Sequence, residues 1–317
     1  MFMRHFLPND LTVSGWDQIK SYFEDLLDRK INSSDDLKKW MKDRSELESF
    51  LEEDMAWRYI KMNIDTSDID LQKSFQFFVN QISPHSATYD HKLNKKINES
   101  PFLSQLDSIH YFTYLRSVKN EIQLYRDENI PLFTVLTEKA QKFGEISAKM
   151  TVNIQDKELT LQQASVFLKD PNRNLRQEVF EKINFRRQQD IGVLDVLLDE
   201  LLFTRQEVAA NAGFSNFRDY KFQSMGRFDY SKKDCLDFHS SIENEIVPLI
   251  KEMHNQRISQ LGLSTLKPWD MQVDSQGLSP LKPFVDGADL LEKCIKCFDS
   301  IRPYYGECLR QMKSMGH

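Results

Sequence analysis

Apolar side chains recur at intervals of three and four residues along most of this 317-residue chain. That spacing is the period of one buried helical face, so it predicts an almost wholly helical protein. The plainest run is Leu194, Leu197, Leu198, Leu201, Leu202, Arg205, Val208 and Ala209. Gly213 follows where a left-handed C-cap is wanted. Ser215 is placed to cap a further helix carrying Phe217, Tyr220 and Phe222, which Gly226 ends. Upstream, Ser14 and Asp17 open a helix with Trp16, Ile19, Phe23, Leu26 and Leu27 on one face. A second, from Ser34, carries Leu37, Trp40, Met41, Leu47, Leu51 and Met55, and the two read as an antiparallel hairpin. Thr66 is read as the cap of a third helix through Ile69, Phe75, Val79 and Ile82, ended by Pro84. A polar segment follows from His85 to Ser100. Pro101 then opens a long helix through Ile122, and another runs from Pro131 to about Lys149.

Met150 to Leu161 breaks this period: β-branched and apolar residues flank the polar Gln155 to Lys157, the pattern of a β-hairpin. Asp170 and Pro171 open a helix that runs with few breaks to Ala212. Ser231 and Asp234 form a capping box for a helix reaching Gln260, kinked at Pro248, with Gly262 past its end. From Thr265 to Phe284, Pro268, Pro280 and Pro283 leave few helical signals, which reads as loop with room for short strands near 265–284. The last helix begins at Asp286 to Ala288 and bends near Pro303. The expected fold is mainly α, an elongated multi-helix array with one small hairpin near 150–161.

Aromatic residues make up 11% of the chain, with 22 Phe, which argues against disorder. The net charge of -6 is spread over interspersed Lys and Glu. No strongly basic face is offered to a phosphate backbone, so nucleic acid is not an expected partner. No run approaches the ~20 apolar residues that span a bilayer, and MFMRHFLPND lacks the apolar core of a signal peptide. The four cysteines are too few and too clustered for a disulfide framework. A cytoplasmic setting is expected, with no membrane partner.

Several residues carry a chemical reading. Cys294, Cys297, Cys308 and His317 could be arranged as a zinc site, but Cys294 and Cys297 fall on a regular amphipathic helix and read as packing residues. His239 with Glu243, and His110 with Asp107, have helical spacing for a shared proton or metal, yet neither pair has a third partner in sequence. Arg173, Arg176, Arg186 and Arg187 form the densest basic patch, read as a solvated face beside Glu178 and Glu181. Trp269 and Asp270 read as a loop anchor and a turn residue. Arg227 and Tyr230, beside Gly226, are the candidate peptide-cleft residues. A guanidinium can hold a peptide carboxylate and a phenol can donate to a peptide carbonyl. No Gly-x-Ser-x-Gly elbow and no phosphate-binding glycine loop occurs.

Four segments together carry a family likeness: DPNRNLRQEVFEKINFRR (Asp170 to Arg187), EVAANAGFSNFRDYKFQSMGRFDY (Glu207 to Tyr230), LGLSTLKPWDM (Leu261 to Met271) and DGADLLEKCIKCFDSIRPYYGECLRQM (Asp286 to Met312). In order and spacing they resemble the oligoendopeptidase F family, relatives of thimet oligopeptidase that cut short peptides with one zinc ion. The family's zinc box, His-Glu-x-x-His with a later Glu, lies further along than these segments. The histidines here are His5, His85, His91, His110, His239, His254 and His317; none is followed by Glu, and no two lie three to five residues apart. No catalytic or metal residue of the family therefore carries over to this chain.

The resemblance implies the N-terminal portion of a zinc metalloendopeptidase, ending before the zinc site. Residues 1–190 would be an N-terminal helical lobe and 191–317 the start of the catalytic domain, together one wall of a peptide channel. Zinc would belong to the complete enzyme and none would be bound here. The implied partners are short peptide substrates and a C-terminal catalytic half, and the chain by itself is expected to be inactive. The alternative is a non-catalytic helical module that binds peptides or other proteins.

Overall fold

In the computed structural model, which describes residues 4–315, α1 (Asp17–Asp28) buries Ile19, Phe23 and Leu26. Ser33, one residue before the expected cap, accepts the Asp36 N–H and opens α2 (Ser34–Ile64). The Trp40 indole N–H donates to the Leu26 carbonyl at 2.8 Å and ties the two helices together. Asp68, not Thr66, caps α3 (Ile69–Phe77). Its carboxylate accepts two backbone N–H groups, from Asp70 and Leu71, where a hydroxyl rotor would satisfy fewer.

Pro84 does not end this helix. A π-helical turn at Phe78–Ile82 leads directly into α4 (Ser83–Asn98), which occupies most of the segment read only as polar. The wider turn gives the proline ring room that an α-turn would deny it, and its missing N–H falls in the first turn of the new helix. Leu93, Asn94 and Ile97 form the buried face of α4. Lys96 Nζ donates to the carbonyls of Leu26, Leu27 and Arg29, filling the acceptors left at the end of α1.

The helix expected from Pro101 starts eleven residues later, as α5 (Phe112–Leu124). Asp107 takes the N–H groups of Ile109 and His110 into a tight turn, and Ile109 is left 89% exposed. Next come α6 (Asn129–Ala148) and the hairpin of β1 (Thr151–Ile154) and β2 (Lys157–Thr160). Gln155 and Asp156, with φ of 51° and 60°, make the left-handed turn that two-residue hairpins favour. After α7 (Leu161–Ser165), the long helix expected to reach Ala212 is divided at Gln189–Asp190 into α8 (Arg173–Gln188) and α9 (Ile191–Asn211).

Gly213, at φ 86°, forms the expected left-handed cap. Asn216 rather than Ser215 caps α10 (Phe217–Ser224), accepting the Asp219 N–H. The Ser231–Asp234 capping box opens α11 (Lys232–Ser241). A second π turn, Ile242–Ile246, leads into α12 (Val247–Gln260) and accommodates Pro248 at the same offset seen before Pro84. Between 265 and 284 a short 3-10 turn at Pro268–Asp270 stands where strands were allowed for, and no strand forms. Three prolines remove ladder donors there, and the Asp270 carboxylate draws the Lys267 N–H into the turn instead.

Pro303 reverses the chain rather than bending a helix. Arg302 is extended, and α13 (Gly287–Ile301) and α14 (Pro303–Ser314) pack antiparallel, with Glu292 paired to Lys313 and Asp299 to Arg310. Gly306 is buried at their contact, and a Cβ there would lie 1.9 Å from Asp299 Oδ1.

The chain forms two compact units. One joins the residues up to Thr151 with Phe185–Glu245; the other joins Val152–Asn184 with Ile246 onward. The first is cored by Ile19, Phe23, Trp40, Leu47, Ile82 and Leu93, with a smaller cluster around Val208, Ala209 and Tyr220. Val152, Ile154, Ala164, Val179 and Ile183 core the second. The result is a mainly α fold with one small hairpin. Among the described residues no helix is long and apolar enough to cross a membrane.

Candidate functional site

A cavity of about 920 Å3 opens in the first unit between α5, α10 and the loops beside them. Phe112 and Leu115 of α5, Phe222 of α10, and Phe214 and Phe228 supply its apolar walls. Asn120, 7% exposed, joins the two helices: its Nδ2 donates to the Gln223 carbonyl and its Oδ1 accepts from Gln223 Nε2 at 2.8 Å. Arg116 lies 4.6 Å over the Phe228 ring and donates to Asp229 at 2.9 Å.

Of the two cleft candidates, Arg227 lines this cavity. Gly226, at φ 65°, turns the chain after α10, and the Arg227 N–H donates back to the Phe222 carbonyl while its guanidinium lies 5.4 Å from the Phe222 ring. Tyr230 meets the same ring edge-on at 5.4 Å. It is 46% exposed and lies outside the cavity lining.

Lys119 and Lys232 also line the cavity, with Asp107 and Asp219. Both carboxylates are engaged locally. Asp107 is held below the usual carboxylate range by the His110 and Ile109 N–H groups. Asp219 is pulled down to about 2 by hydrogen bonds from Arg218 and Asn216. The spacing of Asp107 and His110 therefore reflects a backbone turn, not a proton-sharing pair of side chains.

The basic patch on α8 is only in part the solvated face its composition suggests: Arg187 is exposed, while Arg173 and Arg176 turn to Asp270. Arg176 is 3% exposed and Asp270 fully buried; Arg173 Nε and Nη2 bind the two Asp270 oxygens at 2.9 and 2.8 Å, and Arg176 adds a third bond at 3.0 Å. Arg257 donates to the Asp270 carbonyl at 2.8 Å. Burial pushes the Asp270 carboxyl up, but the two guanidiniums and the Lys267 N–H outweigh it and hold the group below the usual range. Trp269 packs its ring on Phe180 at 5.6 Å, the loop anchor its sequence suggests. This arrangement pins the Pro-Trp-Asp turn to α8.

A second charged cluster escaped the sequence reading. Arg44 of α2, 4% exposed, binds Glu48 at 2.6 Å and Asn94 of α4 at 2.7 Å, and Asn94 donates to Glu121 of α5 at 2.9 Å. Asp90 joins them with one carboxylate oxygen, Oδ1, buried and unpartnered. Its pKa is pushed up to about 7 by burial first and by Glu48 next, with Glu121 and Glu52 adding to an effect that Arg44 only partly offsets. Asp90, Asn94 and Glu121 border a smaller cavity of about 470 Å3 beside His91, whose ring stacks on Tyr125 at 3.7 Å. The signal was present in the stripe Leu37, Trp40, Arg44, Leu47, Leu51, where a charge occupies a core position of an apolar face.

Among the described residues no group of three or more His, Cys, Asp or Glu side chains could hold a metal ion. His239 and Glu243 are both exposed. Cys294 is half-buried, while Cys297 and Cys308 are exposed on α13 and α14; His317 lies outside the described residues. The donor set needed by a zinc peptidase is therefore not met by the residues described here.

No curated protein matches the sequence. Two family models do: that of the peptidase M3 N-terminal domain over residues 8–125, and that of peptidase family M3 over residues 166–297. The fold is shared with a Bacillus anthracis str. Ames protein assigned as an oligoendopeptidase F, at 19% identity and a TM-score of 0.87 over 96% of this chain and 56% of that one. PZ peptidase A, solved with an inhibitor, matches at 22% identity and 0.86, over 99% and 55%. The oligoendopeptidase-F of Enterococcus faecium is more distant, at 13% identity and 0.62, over 89% and 60%. The chain spans a little over half the length of these solved relatives. Two models of one family, in chain order on one shared helical fold, place it: this chain belongs to peptidase family M3.

Proposed function

We propose that this chain is the substrate-enclosing part of a zinc-dependent oligopeptidase that acts on short peptides, and that it supplies no metal ligand or reacting group itself. The family models carry the reading, and the absence of a metal donor set among the described residues favours a supporting role. Residues 1–190 would act as the helical lobe and 191–317 as the beginning of the catalytic domain. Helical walls of this kind admit extended peptides and exclude folded proteins by size. The 920 Å3 cavity, with Arg227 in its lining, is the segment of wall best suited to touch a peptide.

Apolar surface supports a further layer of protein. On α9 the exposed Ile191, Leu198 and Leu202 occupy one side and Val193, Val196 and Phe203 another, so this helix is apolar nearly all round, the pattern of a helix enclosed by protein. We assign that cover to the catalytic half of the same peptidase. All four cysteines are free thiols, which supports a cytoplasmic setting.

The test is a purified 317-residue chain assayed with a quenched fluorescent oligopeptide and analysed for bound zinc. Neither cleavage nor stoichiometric zinc is expected. Chelator-sensitive cleavage by this chain by itself would refute the supporting role.

A further inference from the structure

The lining of the large cavity has a charge opposite to that of the protein. Four cations (Arg116, Lys119, Arg227 and Lys232) face two carboxylates there, in a chain whose net charge is -6. Asp219 is matched by Arg218 and Asn216, with Lys232 adding to its field, whereas Asp107 is held by backbone N–H groups and keeps its negative charge. Arg116 is neutralised by Asp229. Lys119, Arg227 and Lys232 remain against Asp107, an excess of positive charge, and none of the three forms an ion pair with a carboxylate among the described residues. The surface between these charges is mainly apolar, built from Phe112, Leu115, Phe214, Phe222 and Phe228.

An apolar wall with unmatched cations at its edge suits a ligand whose apolar group and negative charge are a few bonds apart. In a peptide, the two meet that closely at an apolar C-terminal residue, whose side chain and α-carboxylate leave the same carbon. An internal Asp or Glu places its carboxylate on the side chain itself and leaves no apolar group for the wall. Resting on the peptide reading above, we propose that this cavity recognises the C-terminal residue of a short peptide. The phenylalanine walls take its apolar side chain, and Arg227, Lys119 and Lys232 take its carboxylate. Arg227 is the best placed of the three, because its backbone bond to Phe222 and its stacking on that ring limit its freedom before a ligand arrives.

The experiment uses the intact chain and a binding readout, so it is independent of hydrolysis. Calorimetric titrations compare N-acetyl-Ala-Phe, its C-terminal amide, and N-acetyl-Glu-Phe-amide, which carries the negative charge on a side chain. The free acid is expected to bind ~10-fold more tightly than either amide, the order expected for a charge-assisted contact. Added salt should narrow the gap. Arg227→Gln and the double variant Lys119→Gln/Lys232→Gln should abolish the preference, Arg227→Lys should restore part of it, and Lys313→Gln on α14 should leave it unchanged. Equal binding of acid and amide, or of the glutamate probe and the acid, overturns the proposal, as does a failure of all three to bind. Peptides that bind without regard to the terminus would leave the peptidase reading intact, and the cleavage and zinc assays above decide that reading separately.

Discussion

Replacing Asp90 with Asn should remove a pH dependence from the stability of the first unit. Asp90 and Glu48 share one buried cation, Arg44, with the exposed Glu121 and Glu52 adding negative field, so Asp90 and Glu48 cannot both ionise without net buried charge. Burial raises Glu48 too, with Arg44 only partly offsetting it. Asp90 holds its proton to about pH 7 in the folded chain, against an ordinary value of 3.8. The folded state therefore binds a proton that the unfolded state has lost. The stability this confers is full below about pH 4 and is lost as pH rises through about 7. A displacement of about three pH units corresponds to roughly 4 kcal/mol over that window, or about 1.4 kcal/mol for each pH unit. Asn cannot ionise, so the stability of Asp90→Asn relative to wild type should climb by that amount between pH 4 and pH 7 and level off above. Glu48 is coupled to the same proton, which makes 4 kcal/mol an upper figure for the single substitution.

Urea unfolding followed by tryptophan fluorescence suits the measurement, because Trp16, Trp40 and Trp57 lie in the first unit and only Trp269 in the second. The quantity to plot is the difference in unfolding free energy between variant and wild type at each pH, which cancels contributions from carboxylates outside the cluster. Parallel curves from pH 5 to pH 8 would refute the argument. A difference that falls with rising pH would mean that Asp90 is ionised in the folded chain and paired with Arg44.

Two further outcomes follow from the second unit and from the turn after α9. Asp270→Ala should destabilise the second unit by roughly 3–5 kcal/mol, because it leaves Arg176 charged, buried and short of its partner; hydrogen exchange of α8 should report it. Asp270 is shifted downward, so its contribution is present above the ordinary carboxylate range and lost only as pH falls below it. Gly213→Ala should cost about 1–2 kcal/mol, since φ is 86° and open space surrounds the position, leaving backbone strain as the whole effect; a larger loss in thermal unfolding would indicate a packing role instead.

Helical period, the hairpin, the glycine ends at Gly213, Gly226 and Gly262 and the Ser231–Asp234 start were legible because each depends on residues a few positions apart. The errors arose where one rule was read without its alternative. Pro84 and Pro248 are helix breakers only if the preceding turn stays α-helical, and in both places a π turn supplies the room. The polar run His85–Ser100 hides a helix because its apolar contribution is sparse, from Tyr89, Leu93 and Ile97, with further contact made by Asn94 and Lys96. Thr66 and Ser215 are adequate caps in isolation; Asp68 and Asn216, one or two residues on, sit where the chain turns. The cavity was half legible. Arg227 could be singled out from the turn at Gly226, whereas Lys119 and Phe112 come from α5, more than a hundred residues earlier, and their meeting with α10 is a product of tertiary packing.

The two buried charge clusters had the same sequence signature and differ in sign. Arg44 sits in the apolar stripe of α2, and Arg176 in that of α8 beside Val179 and Ile183. Around Arg176 two guanidiniums converge on one carboxylate, so positive charge is in excess and Asp270 stays ionised well into acid. Around Arg44 the carboxylates of Glu48 and Asp90 meet one guanidinium, Glu121 and Glu52 add negative field, and the surplus is relieved by keeping a proton on Asp90 near neutrality. A charge at a core position therefore announces a buried network, and the ratio of partners that tertiary packing delivers decides what the network does. The Asp270 cluster is a latch with no titration near pH 7. The Asp90 cluster ties any pH response in that range to α2, α4 and α5, and α5 is the helix that carries Phe112, Lys119 and Asn120 of the large cavity.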